Sequence, residues 1–186
     1  MNKNVRSIVK TGFILFVIGF LCTLILSVCN YMTKGTIERL AAESEREAMV
    51  ATLSEADHFV KLPHIGEGIV TGVFEGVDKD KNIVGYCVKV YPVGYGGEIS
   101  MIVGIDTDHK VTGVDIVNMS ETPGLGAKAK DESFYNQYIG KSGLVSVKKS
   151  GTPNENEISA ISGATVTSKA VTQGVNAALE IVKKLR

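Results

Sequence analysis

The sequence predicts an α+β protein: one apolar N-terminal helix that spans a membrane, a helical stalk, then a domain of β-hairpins forming an antiparallel sheet packed with helices. Three observations carry this. Residues 11–32 contain no charged side chain. Between residues 66 and 119 apolar residues alternate as in strands, and one ten-residue pattern occurs twice. Behind residue 165 the apolar spacing becomes helical. With 186 residues, the chain is long enough for one membrane segment and one domain with its own core. The expected divisions are residues 1–10, 11–32, 33–65 and 66–186.

Twenty-two helical residues reach about 33 Å, enough to cross a hydrocarbon core of about 30 Å. A cleaved signal peptide has a shorter apolar region and ends at a small-residue site, which Asn30-Tyr31-Met32-Thr33-Lys34 does not supply. The segment therefore reads as an uncleaved anchor. Lys3, Arg6 and Lys10 precede it without an acidic residue. Positive charge stays on the cytoplasmic side, so residues 1–10 are expected in the cytoplasm and the folded domain outside it. Gly12, Gly19, Thr23, Ser27 and Asn30 fall along one side of this helix, a pattern that suits packing against other membrane helices.

Cys22 and Cys29 share a face of the anchor and read as small packing residues. Cys87 is alone in the outer domain, so no disulfide framework forms there. The 20 Lys and Arg balance 20 Asp and Glu, and no basic stripe stands out, which argues against a nucleic-acid partner.

Residues 33–56 keep a helical pattern through Ile37, Leu40, Ala41, Ala48 and Leu53, mixed with charges, and read as an amphipathic stalk. Residues 76–85 then match residues 104–113 landmark for landmark: an apolar strand end, an Asp-x-Asp turn and a second strand rich in Val and Ile. Two consecutive hairpins fit this repeat. A calcium loop does not, because Ile83 occupies the sharp-turn glycine position and Lys89 stands where a bidentate Glu belongs. Residues 91–97 form a glycine-rich connection. Residues 128–138 read as a short helix with Phe134, Tyr138 and Ile139 turned inward, residues 143–148 as one more strand, and residues 151–156 as a polar loop.

The most informative run is Ser162-Gly163-Ala164-Thr165-Val166-Thr167-Ser168, hydroxyl-rich and set at the start of a helix whose Val171, Val175, Ala178, Leu179 and Val182 share one face. Helix N-termini offer unpaired N–H groups and a partial positive charge, which suit a phosphate. The same residues also suit a hydroxyl-rich cap with no ligand. Physics alone leaves both readings open.

Ser162-Gly163-Ala164-Thr165 resembles the motif by which FMN-binding-domain proteins hold flavin mononucleotide (FMN) through a phosphoester to threonine. Glu121-Thr122-Pro123-Gly124-Leu125-Gly126 resembles a second motif of that family, and the whole chain is similar to the G-type subunit of Rnf-type ion-translocating electron-transport complexes. The resemblance implies covalent FMN on Thr165, with Thr167 the runner-up acceptor. It also implies a cofactor site built from Ser162, Gly163, Ala164, Thr167, Ser168, Glu121, Thr122, Gly124, Leu125 and Gly126. In the family a glycine-tyrosine-glycine stretch like residues 94–96 precedes the central strand, which makes it a candidate pocket wall. Attachment is expected from a separate flavin transferase using FAD and releasing AMP. One departure stands out: Ser159 sits where family sequences usually carry aspartate, with Glu157 two residues earlier.

The implied work is electron transfer, in a complex that couples ferredoxin:NAD⁺ electron transfer to Na⁺ or H⁺ translocation. No catalytic residue and no metal ligand is assigned on this chain. It shows no cysteine-cluster motif and no dinucleotide fingerprint, so the ferredoxin and NAD sites are expected on other membrane or peripheral subunits. Three alternatives share parts of this pattern: the C-type subunit of a Na⁺-translocating NADH:quinone reductase, an extracytoplasmic binding module without flavin, and a flavin domain serving another extracytoplasmic reductase.

Overall fold

The computed structural model describes residues 3–63 and 66–185, with side chains from residue 9 onward. The Lys3 and Arg6 side chains, two of the three charges behind the expected orientation, lie outside the described residues. The chain forms two compact units, Met1–Glu43 and Ser44–Arg186.

Helix α1 runs without a break over Lys3–Thr52. In the first unit its apolar side chains, Phe13, Leu15, Phe16, Phe20 and Leu26 among them, are exposed all round. Exposing such side chains to water costs about 1.5–3 kcal/mol each, a cost that lipid removes. Among the described residues this is the one helix long and apolar enough to cross a membrane, with a best-window mean hydropathy of 2.7, and it fits a single-pass anchor. Thr23 Oγ1 returns its hydrogen to the Gly19 carbonyl at 2.8 Å, so that hydroxyl enters an apolar setting already satisfied.

The second unit holds an antiparallel sheet in simple order: β1 (His58–Lys61), β2 (Val70–Val77), β3 (Ile83–Val90), β4 (Ser100–Asp106) and β5 (Val111–Asn118). The repeated decamers are the β2–β3 and β4–β5 hairpins, and their turns are built alike. Asp78 Oδ1 accepts the N–H of Asp80 and of Asn82, both at 2.8 Å. Asp106 Oδ1 does the same for Asp108 at 2.9 Å and Lys110 at 2.8 Å. Lys81 and His109 take the left-handed conformation at matching places, φ 66° and 61°. The Asp78 carboxylate is thus spent on its own turn; the Asn82 N–H, then the Asn82 amide, hold its carboxyl below the usual range.

The repeat also explains its glycines. Gly76 pairs with Gly85 and Gly104 with Gly113, which clears a strip of sheet surface under the end of α1. A Cβ on Gly85 would lie 3.0 Å from a Leu53 methyl, and one on Gly113 2.9 Å from the Thr52 Cα. Thr112 Oγ1 donates to the Thr52 carbonyl at 2.5 Å, while Ala48, Met49 and Leu53 pack with Cys87 and Ile102. Burial pushes the Cys87 thiol up to about 12, with the Thr52 hydroxyl working the other way, which leaves it an inert packing residue. Burial alone would lower the Lys89 ammonium, but its ion pair with Glu45 of α1 and contact with Tyr91 raise it.

We expect Gly104→Ala to destabilise this unit by about 2 kcal/mol or more, the usual effect of overpacking. The added Cβ would stand 2.6 Å from Thr112 Oγ1 and press on the Thr52 carbonyl, which is backbone and cannot rotate away. Thermal unfolding measures it; an unchanged midpoint means that the helix end is not seated on the sheet.

The opposite face of the sheet carries α3 (Thr165–Lys183), where Val171, Val175, Ala178, Leu179 and Val182 meet Val73, Val88, Val90, Met101, Val103 and Ile105. Between β5 and α3 the structure departs from expectation in several places. Residues 128–138 are not one helix but 3-10 turns at Gly126–Lys130 and Asn136–Tyr138 around a single α-turn, α2 (Glu132–Tyr135). Phe134 and Tyr138 are buried as expected, whereas Ile139 is half exposed. The strand expected over residues 143–148 is β6 (Ser146–Lys148) alone, and its partner is a parallel strand, β7 (Glu157–Ser159), beyond the polar loop. In the stalk, the helix stops at Thr52 and the chain then adds β1 to the sheet.

Candidate functional site

Three segments converge at one end of the sheet: the β3–β4 connection, the loop leaving β5 and the first turn of α3. They enclose a cleft of about 580 Å³ lined by Tyr95, Glu121, Thr122, Leu125, Gly126 and residues 163–167. That volume falls within the roughly 300–1,000 Å³ of small-molecule sites.

Glu121 fastens these segments together. Its side chain is buried, with Oε1 accepting the N–H of Tyr95 at 2.8 Å and of Gly96 at 3.2 Å. Oε2 accepts the Thr167 hydroxyl at 3.0 Å. One carboxylate therefore fixes the Tyr95 loop and the start of α3 to the residue 121–126 loop. Gly126 is needed to make room for it: a Cβ there would stand 2.8 Å from Thr167 Oγ1 and collide with Glu121 Oε2. This glycine serves internal packing, not the approach of backbone to a ligand. Gly163, by contrast, turns the acceptor loop at φ 76°, and the Leu125 side chain lies over it.

The helix start is capped less conventionally than the hydroxyl-rich sequence suggests. The N-cap is Ala164, with no side-chain cap. Ser168 instead reaches back, accepting the Ile161 N–H and donating to the Ala164 carbonyl, both at 2.9 Å. The N–H groups of Thr165, Val166 and Thr167 have no partner among the described residues, as the first turn of a helix dictates. Three donors and the positive end of the dipole thus stand at the cleft.

The hydroxyls of residues 162–168 part company here. Thr167 and Ser168 are fully buried and committed to internal bonds. Ser162 is exposed and lines a separate hollow of about 210 Å³ beside Ser159. Thr165 is half-buried, faces the cleft and makes no side-chain hydrogen bond among the described residues. The cleft thus gathers Glu121, Thr122, Leu125, Gly126, Gly163, Ala164, Thr165 and Thr167, and leaves Ser162, Gly124 and Ser168 outside its lining. Ser159, where the family's aspartate is expected, gives its N–H to the Gln137 side chain at 2.7 Å. Val166 also lines the cleft, although sequence reasoning assigned it no role. Tyr95 lines it too, within the glycine-tyrosine-glycine stretch read from the sequence as a candidate pocket wall. No group of three metal-ligating side chains occurs among the described residues.

Comparison with known proteins gives the family of the chain. Residues 94–180 match the family model of the FMN-binding domain, and residues 1–55 match that of the RnfG N-terminal region. The chain is 38% identical to the G-type subunit of the Na⁺-translocating ferredoxin:NAD⁺ oxidoreductase complex of Acetobacterium woodii, over 97% of this chain and 94% of that one. It is 34% identical to the G-type subunit of the proton-translocating ferredoxin:NAD⁺ oxidoreductase complex of Clostridium ljungdahlii, over 97% and 95%. Among solved structures, the C-type subunit of the Na⁺-translocating NADH-quinone reductase of Parabacteroides distasonis shares the fold, with a TM-score of 0.61 at 20% identity over 80% of this chain and 94% of that one. Relatives this similar over nearly their full length, together with the two family matches, place the chain in the RnfG family, the G-type subunits of Rnf-type ion-translocating oxidoreductase complexes.

Proposed function

We propose that this chain is a membrane-anchored flavoprotein electron carrier of an Rnf-type complex, with FMN in the cleft between Tyr95 and α3 and its phosphate esterified to Thr165 Oγ1. One observation carries the reading: among the hydroxyls of residues 162–168, Thr165 alone faces the cleft without an internal partner. The three free N–H groups of the first turn suit the phosphate, and Leu125, Val166 and Tyr95 supply apolar surface for a flat ring. FMN supplies the redox chemistry when bound, taking up and releasing electrons. The chain's own residues bind and orient it: Thr165 fixes the phosphate end, while Glu121 holds the two walls of the cleft at a set distance.

Attachment calls for a flavin transferase with FAD as donor. The Thr165 oxygen attacks the phosphorus on the riboflavin side, the P–O–P bond breaks, AMP leaves and the threonine proton passes to the transferase. Intact-mass measurement of protein from its native membrane tests the reading; the mass of bare polypeptide would leave only a binding module without flavin. The fold shared with the NADH-quinone reductase subunit rests on 20% identity and does not favour that complex.

In this reading the complex couples ferredoxin:NAD⁺ electron transfer to Na⁺ or H⁺ movement, and other subunits carry the ferredoxin and NAD sites. The N-terminus lies in the cytoplasm and the FMN domain outside it. Away from a cytoplasmic flavin pool a reversible site empties by mass action, which a covalent link prevents. Protease added to sealed, right-side-out cells is expected to degrade the C-terminal domain; full protection there reverses the orientation.

A further inference from the structure

Among the cleft-lining residues, Glu121 is the one side chain that carries a formal charge at neutral pH. It is 8% exposed, and no Lys, Arg or His side chain pairs with it among the described residues. Its three contacts all present hydrogens to it: the Tyr95 and Gly96 N–H groups and the Thr167 hydroxyl. Each of these groups can donate to a carboxylate, which as an anion is an acceptor only. Thr167 stands in the first turn of α3, so the carboxylate lies beside a helix N-terminus.

A neutral amide could accept the same two backbone hydrogens, so fastening the loops does not by itself require a charge. We propose that the Glu121 carboxylate also sets the reduction potential of the flavin, holding it low by its fixed negative charge. This rests on FMN occupying the cleft as read above. Each electron entering the ring makes it more negative unless a proton follows, and a buried anion in the wall opposes that change. Glu121 has no counter-cation among the described residues to cancel its field, and its burial keeps solvent from screening it. No lysine or arginine lines the cleft to act in the opposite sense. For charges separated by about the width of such a cleft, with an effective dielectric constant near 20, the effect on the reduced-to-oxidised ratio is roughly tenfold.

The test is a reductive titration with dithionite of the flavin-loaded full chain in detergent, following the flavin absorbance against a reference dye. Glu121→Gln keeps the acceptor for Tyr95 and Gly96 and removes the charge. It is expected to raise the midpoint, with roughly tenfold more reduced flavin at a fixed applied potential. Glu121→Asp keeps the charge and is expected to stay near wild type. A second arm leaves the carboxylate untouched: Val166→Lys, at an exposed lining position, places a cation against the same field and should also raise the midpoint.

Intact mass is read first on every sample. If wild type carries no FMN, the functional reading falls. If wild type and Glu121→Gln both carry it and their midpoints coincide, the potential-setting role falls and the flavin assignment stands. Should Glu121→Gln not fold, a Val166→Lys midpoint that does not rise overturns the proposal, because the ring then does not feel charge in the cleft wall.

Discussion

Replacing Thr165 by alanine is expected to abolish covalent flavin while leaving the domain folded. The hydroxyl takes part in no hydrogen bond among the described residues and stands half-exposed at the first position of α3. Alanine is the best helix former, so the exchange costs the helix nothing and recovers up to about 0.7 kcal/mol of propensity. Thr167 is not expected to take over, because its side chain is 1% exposed and its hydrogen is given to Glu121 at 3.0 Å. Reaction there would mean breaking that bond. Intact-mass spectra of wild type and variant from the native host read the result, with thermal unfolding as the control for the fold. A variant that keeps the FMN mass moves the acceptor to Thr167.

What the sequence makes legible, and what it hides, divides along physical lines. The anchor and α3 show in the pattern because each meets a single apolar environment over many residues, so their periodicity is long and clean. The two hairpins show because the chain states them twice, down to the Asp78 and Asp106 turns. The pairing of β6 with β7 is hidden: each has three residues, too few for a period, and the parallel register depends on a loop with no local signature. β1 is hidden for a similar reason, since four mostly exposed residues show no alternation. Ile139 is misplaced because the helix expected over residues 128–138 would carry its inward face on to the next residue; the chain there is a 3-10 turn that ends at Tyr138 and lets Ile139 face outward.

The candidate site is legible through its motifs, but the physical reasons differ from those the sequence suggests. Glycines in residues 121–126 look like openings for a ligand. Gly126 proves to be space for a carboxylate. Glu121, read from the sequence, suits capping backbone donors or orienting Thr122, and equally a plain turn. It caps two donors on a loop some 25 residues away, a contact that only the folded sheet creates. The hydroxyls after Gly163 look alike as a cluster. Packing separates them, committing Thr167 and Ser168 to internal hydrogen bonds and leaving Thr165 unpartnered at the cleft.

Glu121→Ala is therefore expected to be among the most damaging single changes in the domain. It strips partners from the Tyr95 and Gly96 N–H groups and from the Thr167 hydroxyl, and leaves a void beside Gly126. A buried polar group left unpaired costs about 1–3 kcal/mol. Tyr95 stands at the surface, so water recovers part of the loss at its N–H, whereas Thr167 has no such access. A net loss of about 2–4 kcal/mol follows, which lowers the unfolding midpoint of a domain of this size by roughly 5–15 °C. Against a total stability of about 5–15 kcal/mol, the protein stays folded at moderate temperature but with little margin. Glu121→Gln should fall much less, since its amide oxygen still accepts from both backbone donors. The pair separates the two jobs of one side chain: alanine removes the fastening and the charge together, whereas glutamine removes the charge and keeps most of the fastening. Equal melting of wild type and Glu121→Ala would mean that the loops hold their places without the carboxylate, leaving its burial in this wall without a structural cause.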